Sequence, residues 1–169
     1  QQRFSLPDGI YDFELQISDN NSKDKPFKSS RQLEIEYPAD KIVVSDIQLL
    51  ESYKQSSVTT ILTKSGYDML PYISNFYPKE MAHVSFYAEL YNSSVILGPD
   101  EKYLVNYFIE SLDANFSLND YRGFVRQTSG KVNVVLSKFN IAGLPSGNYH
   151  LIVEARNKTN ELLARRNVF

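Results

Sequence analysis

The stretch Leu144-Pro145-Ser146-Gly147-Asn148-Tyr149, running on into Leu151, Val153 and Ala155, has a counterpart at Leu6-Pro7-Asp8-Gly9-Ile10-Tyr11, which runs on into Phe13, Leu15 and Ile17. Leu, Pro, Gly and Tyr fall at identical offsets. Each copy is followed by apolar residues at every second position, the period of a half-buried strand. Pro and Gly shape a turn, and the tyrosine marks where turn becomes strand. Tyr11 and Tyr149 are therefore expected as structural corners of β-sandwiches. Tyr149 should be buried, with its hydroxyl bonded to backbone near residues 141–146, and Tyr11 should hold the same place in a partial domain.

Outward from the first copy, Tyr11, Phe13, Leu15 and Ile17 alternate with Asp12, Glu14, Gln16 and Ser18, so one face is apolar and the other polar. The polar run Asp19–Pro26 turns the chain, and Leu33, Ile35 and Tyr37 return it as a hairpin that Pro38 stops. In a sandwich such a unit ends a domain, so its other strands are expected upstream of Gln1. Its apolar face then needs a partner: the rest of the chain, a second copy in a homodimer, or the upstream strands. Residues 1–40 thus read as the terminal hairpin of a truncated sandwich domain, and 41–63 as an inter-domain linker or strand. Residues 64–169 read as one complete sandwich, with Met69–Ile73 an edge strand because Pro71 cannot donate to a ladder. Strands are expected at 83–91, 102–110, around Val132, Val134 and Leu136, at 149–156 and at 161–169, with 111–123 irregular or holding a short connecting strand. About seven short strands over about 100 residues is the pattern of an immunoglobulin-like or fibronectin-III-like sandwich, and the fold class is all-β.

Composition excludes more than it assigns. The 169 residues are 42% hydrophobic, enough for a real core, while 22% charged residues and a formal net charge of -2 give no field to steer the chain onto nucleic acid. No apolar run reaches the roughly 20 residues that a membrane helix needs. The chain has no Cys, which removes disulfides, thiolate metal sites and thiol nucleophiles. Twelve Tyr and ten Phe without a Trp suit strands and sandwich cores, with a carbohydrate platform as the alternative use.

No catalytic, cofactor or metal residues are predicted. His83 and His150 fall on outward strand positions with no converging acid or nucleophile, and the hydrolase, zincin and phosphate-loop spacings are absent. Asp19, Asn21 and Asp24 offer oxygen donors, but Lys23 intrudes and neither the glycine nor the distant glutamate of a calcium loop is present. The candidate interaction face is Tyr87, Tyr91, Leu104 and Phe108, which alternation places on the outer face of two strands expected to be neighbours. The competing explanation is that segment 41–62 or the N-terminal hairpin covers them.

The runs Ser45-Asp46-Ile47-Gln48-Leu49-Leu50, Gly66-Tyr67-Asp68-Met69-Leu70-Pro71-Tyr72, 144–157 and Glu161-Leu162-Leu163-Ala164-Arg165-Arg166 resemble the β-rich region that precedes the GWxTD module in GWxTD-domain-containing proteins of Bacteroidetes-type bacteria. The GWxTD sequence itself is absent, so nothing that module does is carried over. The resemblance implies an exported, periplasmic or cell-envelope protein and brings no catalytic residue. The function expected is non-catalytic: scaffolding or protein interaction within a larger envelope protein, with a carbohydrate-binding module as the alternative.

Overall fold

The computed structural model describes residues 4–21, 25–113 and 117–169, with side chains for all of these except 117–119. The chain is all-β and divides into two compact units at Pro38/Ala39. No helix among the described residues is long and apolar enough to cross a membrane.

The first unit is a two-stranded antiparallel ribbon, β1 (Gly9–Ile17) and β2 (Phe27–Ile35). Tyr11 stands opposite Leu33 and Ile17 opposite Phe27, so Tyr11, Phe13, Leu15, Ile17, Phe27 and Leu33 share one face, while Ile10, opposite Glu34, lies on the other. Tyr37 lies beyond the strand, where its backbone N–H donates to the Asp8 carboxylate at 3.3 Å.

The second unit holds β3 (Val43–Val44), β4 (Gln48–Gln55), β5 (Thr63–Lys64), β6 (Tyr67–Pro71), β7 (His83–Tyr91), a one-turn helix α1 (Ser93–Leu97), β8 (Lys102–Ser111), β9 (Ser117–Thr128), β10 (Val132–Asn140), β11 (Tyr149–Arg156) and β12 (Leu162–Val168). One sheet runs β10-β7-β4-β6-β5 with β3 also on β7, and a four-stranded sheet runs β12-β11-β8-β9. Their inner faces meet in one core. Val84, Phe86, Ala88, Leu90 and Val135 from the first sheet pack with Tyr103, Val105, Tyr107, Ile109, Leu151, Val153 and Ala155 from the second. This is the layering of a sandwich, two amphipathic sheets burying their apolar faces on each other.

Of the two readings of 41–63, the strand holds and the linker does not, and the second unit starts at Ala39 rather than at residue 64. β3 and β4 lie along the same edge of β7, Val44 opposite Leu90 and Leu49 opposite Phe86. Ser45 bridges the gap between them. Its N–H donates to the Glu89 carbonyl at 2.8 Å, and its hydroxyl accepts the Glu89 N–H at 2.9 Å. Val43, Val44, Ile47 and Leu50 supply the apolar content that a strand partner of β7 needs, while Asp46 breaks the run and hides its continuity.

Two further expectations hold only in part. β6 is flanked by β4 and, at Tyr67 and Asp68 alone, by β5, so the edge expected at Met69–Ile73 holds around Pro71 and fails only at the start of the strand. Pro71 therefore keeps one open side and is paired with Leu50 on the other. The region expected to be irregular leads into β9, a twelve-residue strand that pairs along β8 with Leu104 opposite Arg126 and Phe108 opposite Arg122.

Candidate interaction face

Tyr87 and Tyr91 belong to β7, and Leu104 and Phe108 to β8, and these strands lie in different sheets. The four residues are outward-facing on opposite sides of the sandwich and form no common face. Alternation decides which way a side chain points from its own strand; it carries no information about which sheet the strand joins.

The Tyr87 half is closed. Tyr87 is 1% exposed and packs with Leu50 and Met69 under Tyr53, Tyr67, Val134 and Leu136. β5 is three places from β7 in strand order, yet Lys64 Nζ stands 4.7 Å from the Tyr87 ring centroid and the Ser65 hydroxyl lies 2.7 Å from the Tyr87 hydroxyl. The edge of the sheet therefore folds back over its own outer face. Glu89 fastens it there. Its carboxylate accepts from the Tyr87 hydroxyl at 2.5 Å and from the Tyr91 hydroxyl, and pairs with Lys64 Nζ at 3.2 Å. Burial pushes the Glu89 carboxyl up, but the two tyrosine hydroxyls and the Lys64 charge outweigh it and hold the group below its ordinary value.

Leu104 and Phe108 lie on the outer face of the four-stranded sheet, which the strand register populates residue by residue. Leu104 is flanked by Arg126 and Arg156, Asn106 by Phe124 and Glu154, and Phe108 by Arg122 and Ile152. Phe124 is 59% exposed. Arg126 sits 5.9 Å from the Phe124 ring and Arg165 6.0 Å from the Phe108 ring, within reach of cation–π attraction. Glu154, only 4% exposed, is the ionic anchor of this face. Arg156 Nε donates to it at 2.9 Å and Arg165 Nη1 at 3.2 Å, while Arg165 Nη2 reaches Glu110 at 2.8 Å. A carboxylate this buried is tolerated because both oxygens carry charged donors. Four arginines against two glutamates leave the strip cationic around an aromatic centre.

The other sequence candidates stand apart. His83 is exposed on the six-stranded sheet, and His150 lies on the four-stranded one with its ring edge-on to Phe169 at 6.3 Å. Asp19 accepts the Asn21 N–H at 2.8 Å, while Lys23 and Asp24 lie outside the described residues. No group of three His, Cys, Asp or Glu able to hold a metal is found among the described residues. The two corner tyrosines make the same bond, Tyr11 to the Pro7 carbonyl and Tyr149 to the Pro145 carbonyl, each at 2.8 Å. In both copies the ring lies over the glycine two residues before it, so closely that a Cβ at Gly147 would stand 3.1 Å from the Tyr149 hydroxyl. Tyr149 is half-buried rather than buried.

One feature has no signal in the sequence. A cleft of about 950 Å³ opens at the end of the sandwich, between Leu49 and Val84 of one sheet and Ile109 and Leu151 of the other, beside Tyr77 and Tyr149. The Tyr77 hydroxyl is buried without a hydrogen-bond partner among the described residues, and burial, with Tyr72 adding to it, pushes it up to about 12. Compared with known proteins, the chain matches no family model, no curated protein and no solved structure.

Proposed function

We propose that residues 39–169 form a non-catalytic protein-interaction module that binds through the outer face of its four-stranded sheet. The observation that carries this reading is the exposed Phe124, set between Arg122 and Arg126 on β9 and diagonal to Leu104 and Phe108 of β8, with Arg165 on the far side of Phe108. Aromatic and arginine side chains are the residue types that dominate binding energy at protein interfaces. The surplus of guanidinium groups favours a partner with an acidic surface. The two buried glutamates are both engaged structurally, Glu89 by Tyr87, Tyr91 and Lys64 and Glu154 by Arg156 and Arg165, which leaves neither as a free acid or base. The tyrosines that suggested a carbohydrate platform include Tyr87, Tyr103 and Tyr107 in the interior and Tyr11 and Tyr149 in corners. The reading includes an exported, cell-envelope setting, which the resemblance at 45–50, 66–72, 144–157 and 161–166 supports.

The test is site-specific photo-crosslinking in the native cell from position 124, with position 73, which is more exposed still, as the control. A discrete adduct from 124 that disappears with Arg122→Glu/Arg126→Glu is expected. No adduct, or the same adducts from both positions, refutes the proposal.

A further inference from the structure

The ribbon β1–β2 and the hairpin β11–β12 are built alike. Each starts from a Leu-Pro-x-Gly-x-Tyr corner whose tyrosine donates to the proline carbonyl at 2.8 Å. Apolar residues follow at the same offsets, Phe13, Leu15 and Ile17 in one and Leu151, Val153 and Ala155 in the other, and each strand then pairs antiparallel with the next. The outer strands match as well. Leu15 faces Ser29 where Val153 faces Arg166, a polar residue at the rim in both.

Their environments differ. Leu151, Val153 and Ala155 are buried in the core against Val84, Phe86, Ala88 and Leu90 of β7. Phe13, Leu15 and Ile17 are 45%, 42% and 57% exposed, and Phe27 beside them 61%. The reverse face carries Asp12, Glu14, Gln16, Lys28, Gln32 and Glu34, so the ribbon is amphipathic as an element of a packed sheet is. A two-stranded ribbon with its apolar face in water is marginal at best.

We infer that β1–β2 is the closing ribbon of a second sandwich of the kind formed by 39–169, and that its apolar face is covered by a β7-like sheet supplied by polypeptide N-terminal to Gln1. The duplicated corner carries this, because its other copy displays what such a ribbon rests on. A second copy of residues 39–169 cannot supply that sheet, since the inner face of β7 is already filled by its own β8 and β11. Two ribbons stacked face to face would press Arg31 and Ser29, opposite Phe13 and Leu15, into a dry interface, which disfavours a ribbon dimer.

Hydrogen exchange of the β1 and β2 amides, compared between the 169-residue protein and the natural gene product carrying about 100 further N-terminal residues, tests this. At concentrations where sedimentation finds the 169-residue protein monomeric, its ribbon amides should exchange without protection. In the longer protein they should slow by about a thousandfold or more. There, Phe13→Asp should lower one thermal transition and leave that of 39–169 in place. Protection in the monomeric 169-residue protein would overturn the inference, as would protection through a concentration-dependent dimer. So would an unprotected ribbon in the longer protein, or a natural product without that N-terminal chain.

Discussion

Gly123 of β9 stands opposite Tyr107 of β8, and the tyrosine ring lies directly over it. A Cβ at position 123 would fall 2.4 Å from the Tyr107 Cε2 and 2.5 Å from its Cζ and hydroxyl oxygen. The ring has nowhere to retreat, because Phe86 and Phe139 hold it at centroid distances of 5.2 and 5.6 Å. Two effects of Gly123→Ala oppose each other. Alanine lowers the entropy of the unfolded strand and so favours folding by about 0.5–1 kcal/mol. Overpacking a filled core costs about 1–3 kcal/mol. The overpacking term wins, for a net loss of about 1–2 kcal/mol and a fall in Tm of about 3–8 °C for a unit of this size. Calorimetry of the unit 39–169 transition reads it, with Tyr107→Leu as the second arm. Removing the far end of the ring opens the space above Gly123, so Gly123→Ala should be neutral or stabilising in the Tyr107→Leu background. An unchanged Tm in the parent, or an equal loss in both backgrounds, refutes the steric account.

Two further outcomes are expected. Glu89 is held below its ordinary value in the folded state, so its contribution is complete above the unfolded carboxylate range and drains away as pH falls through the lower folded value. Urea midpoints measured between neutral and acidic pH should fall less for Glu89→Gln than for the parent, and parallel curves would show that the Tyr87, Tyr91 and Lys64 clasp does not act on folding. Tyr77→Phe removes a buried hydroxyl with no partner among the described residues, so it should be neutral or slightly stabilising in denaturant melts. A loss above about 1 kcal/mol would mean that the hydroxyl is hydrogen-bonded in solution.

Strand positions were legible where alternation was clean. β7 and β11 were expected at 83–91 and 149–156, and β8 and β12 within a residue of where they lie, because Phe86, Val105 and Val153 and their alternate neighbours all point into the core. β9 was not. Its inward positions include Gly123 and Gln127 and its outward ones Phe124, which scrambles the hydrophobic pattern; Tyr107, reaching across from β8, provides the apolar volume that Gly123 lacks. The interaction face was half legible for a different reason. Outward was equated with exposed, but Lys64 and Ser65 fold back over Tyr87, and that closure is encoded in residues far away in sequence. The arginine strip around Phe108 was illegible because it assembles from β8, β9, β11 and β12, and only register brings Arg122, Arg126, Arg156 and Arg165 to one surface.

The strand order also bears on how the chain acquires its structure. β8 and β9 form a local hairpin, as do β11 and β12, but β7 can complete its sheet only with β10, and β8 its own only with β11. Much loop-closure entropy must be surrendered before those distant pairings stabilise anything. Folding of residues 39–169 is therefore expected on the millisecond-to-second scale of sandwich topologies, with the late arrival of β11 deciding when the core shuts. Until then the inner face of β7 stays open, and that open apolar face is where misassembly with other chains would start.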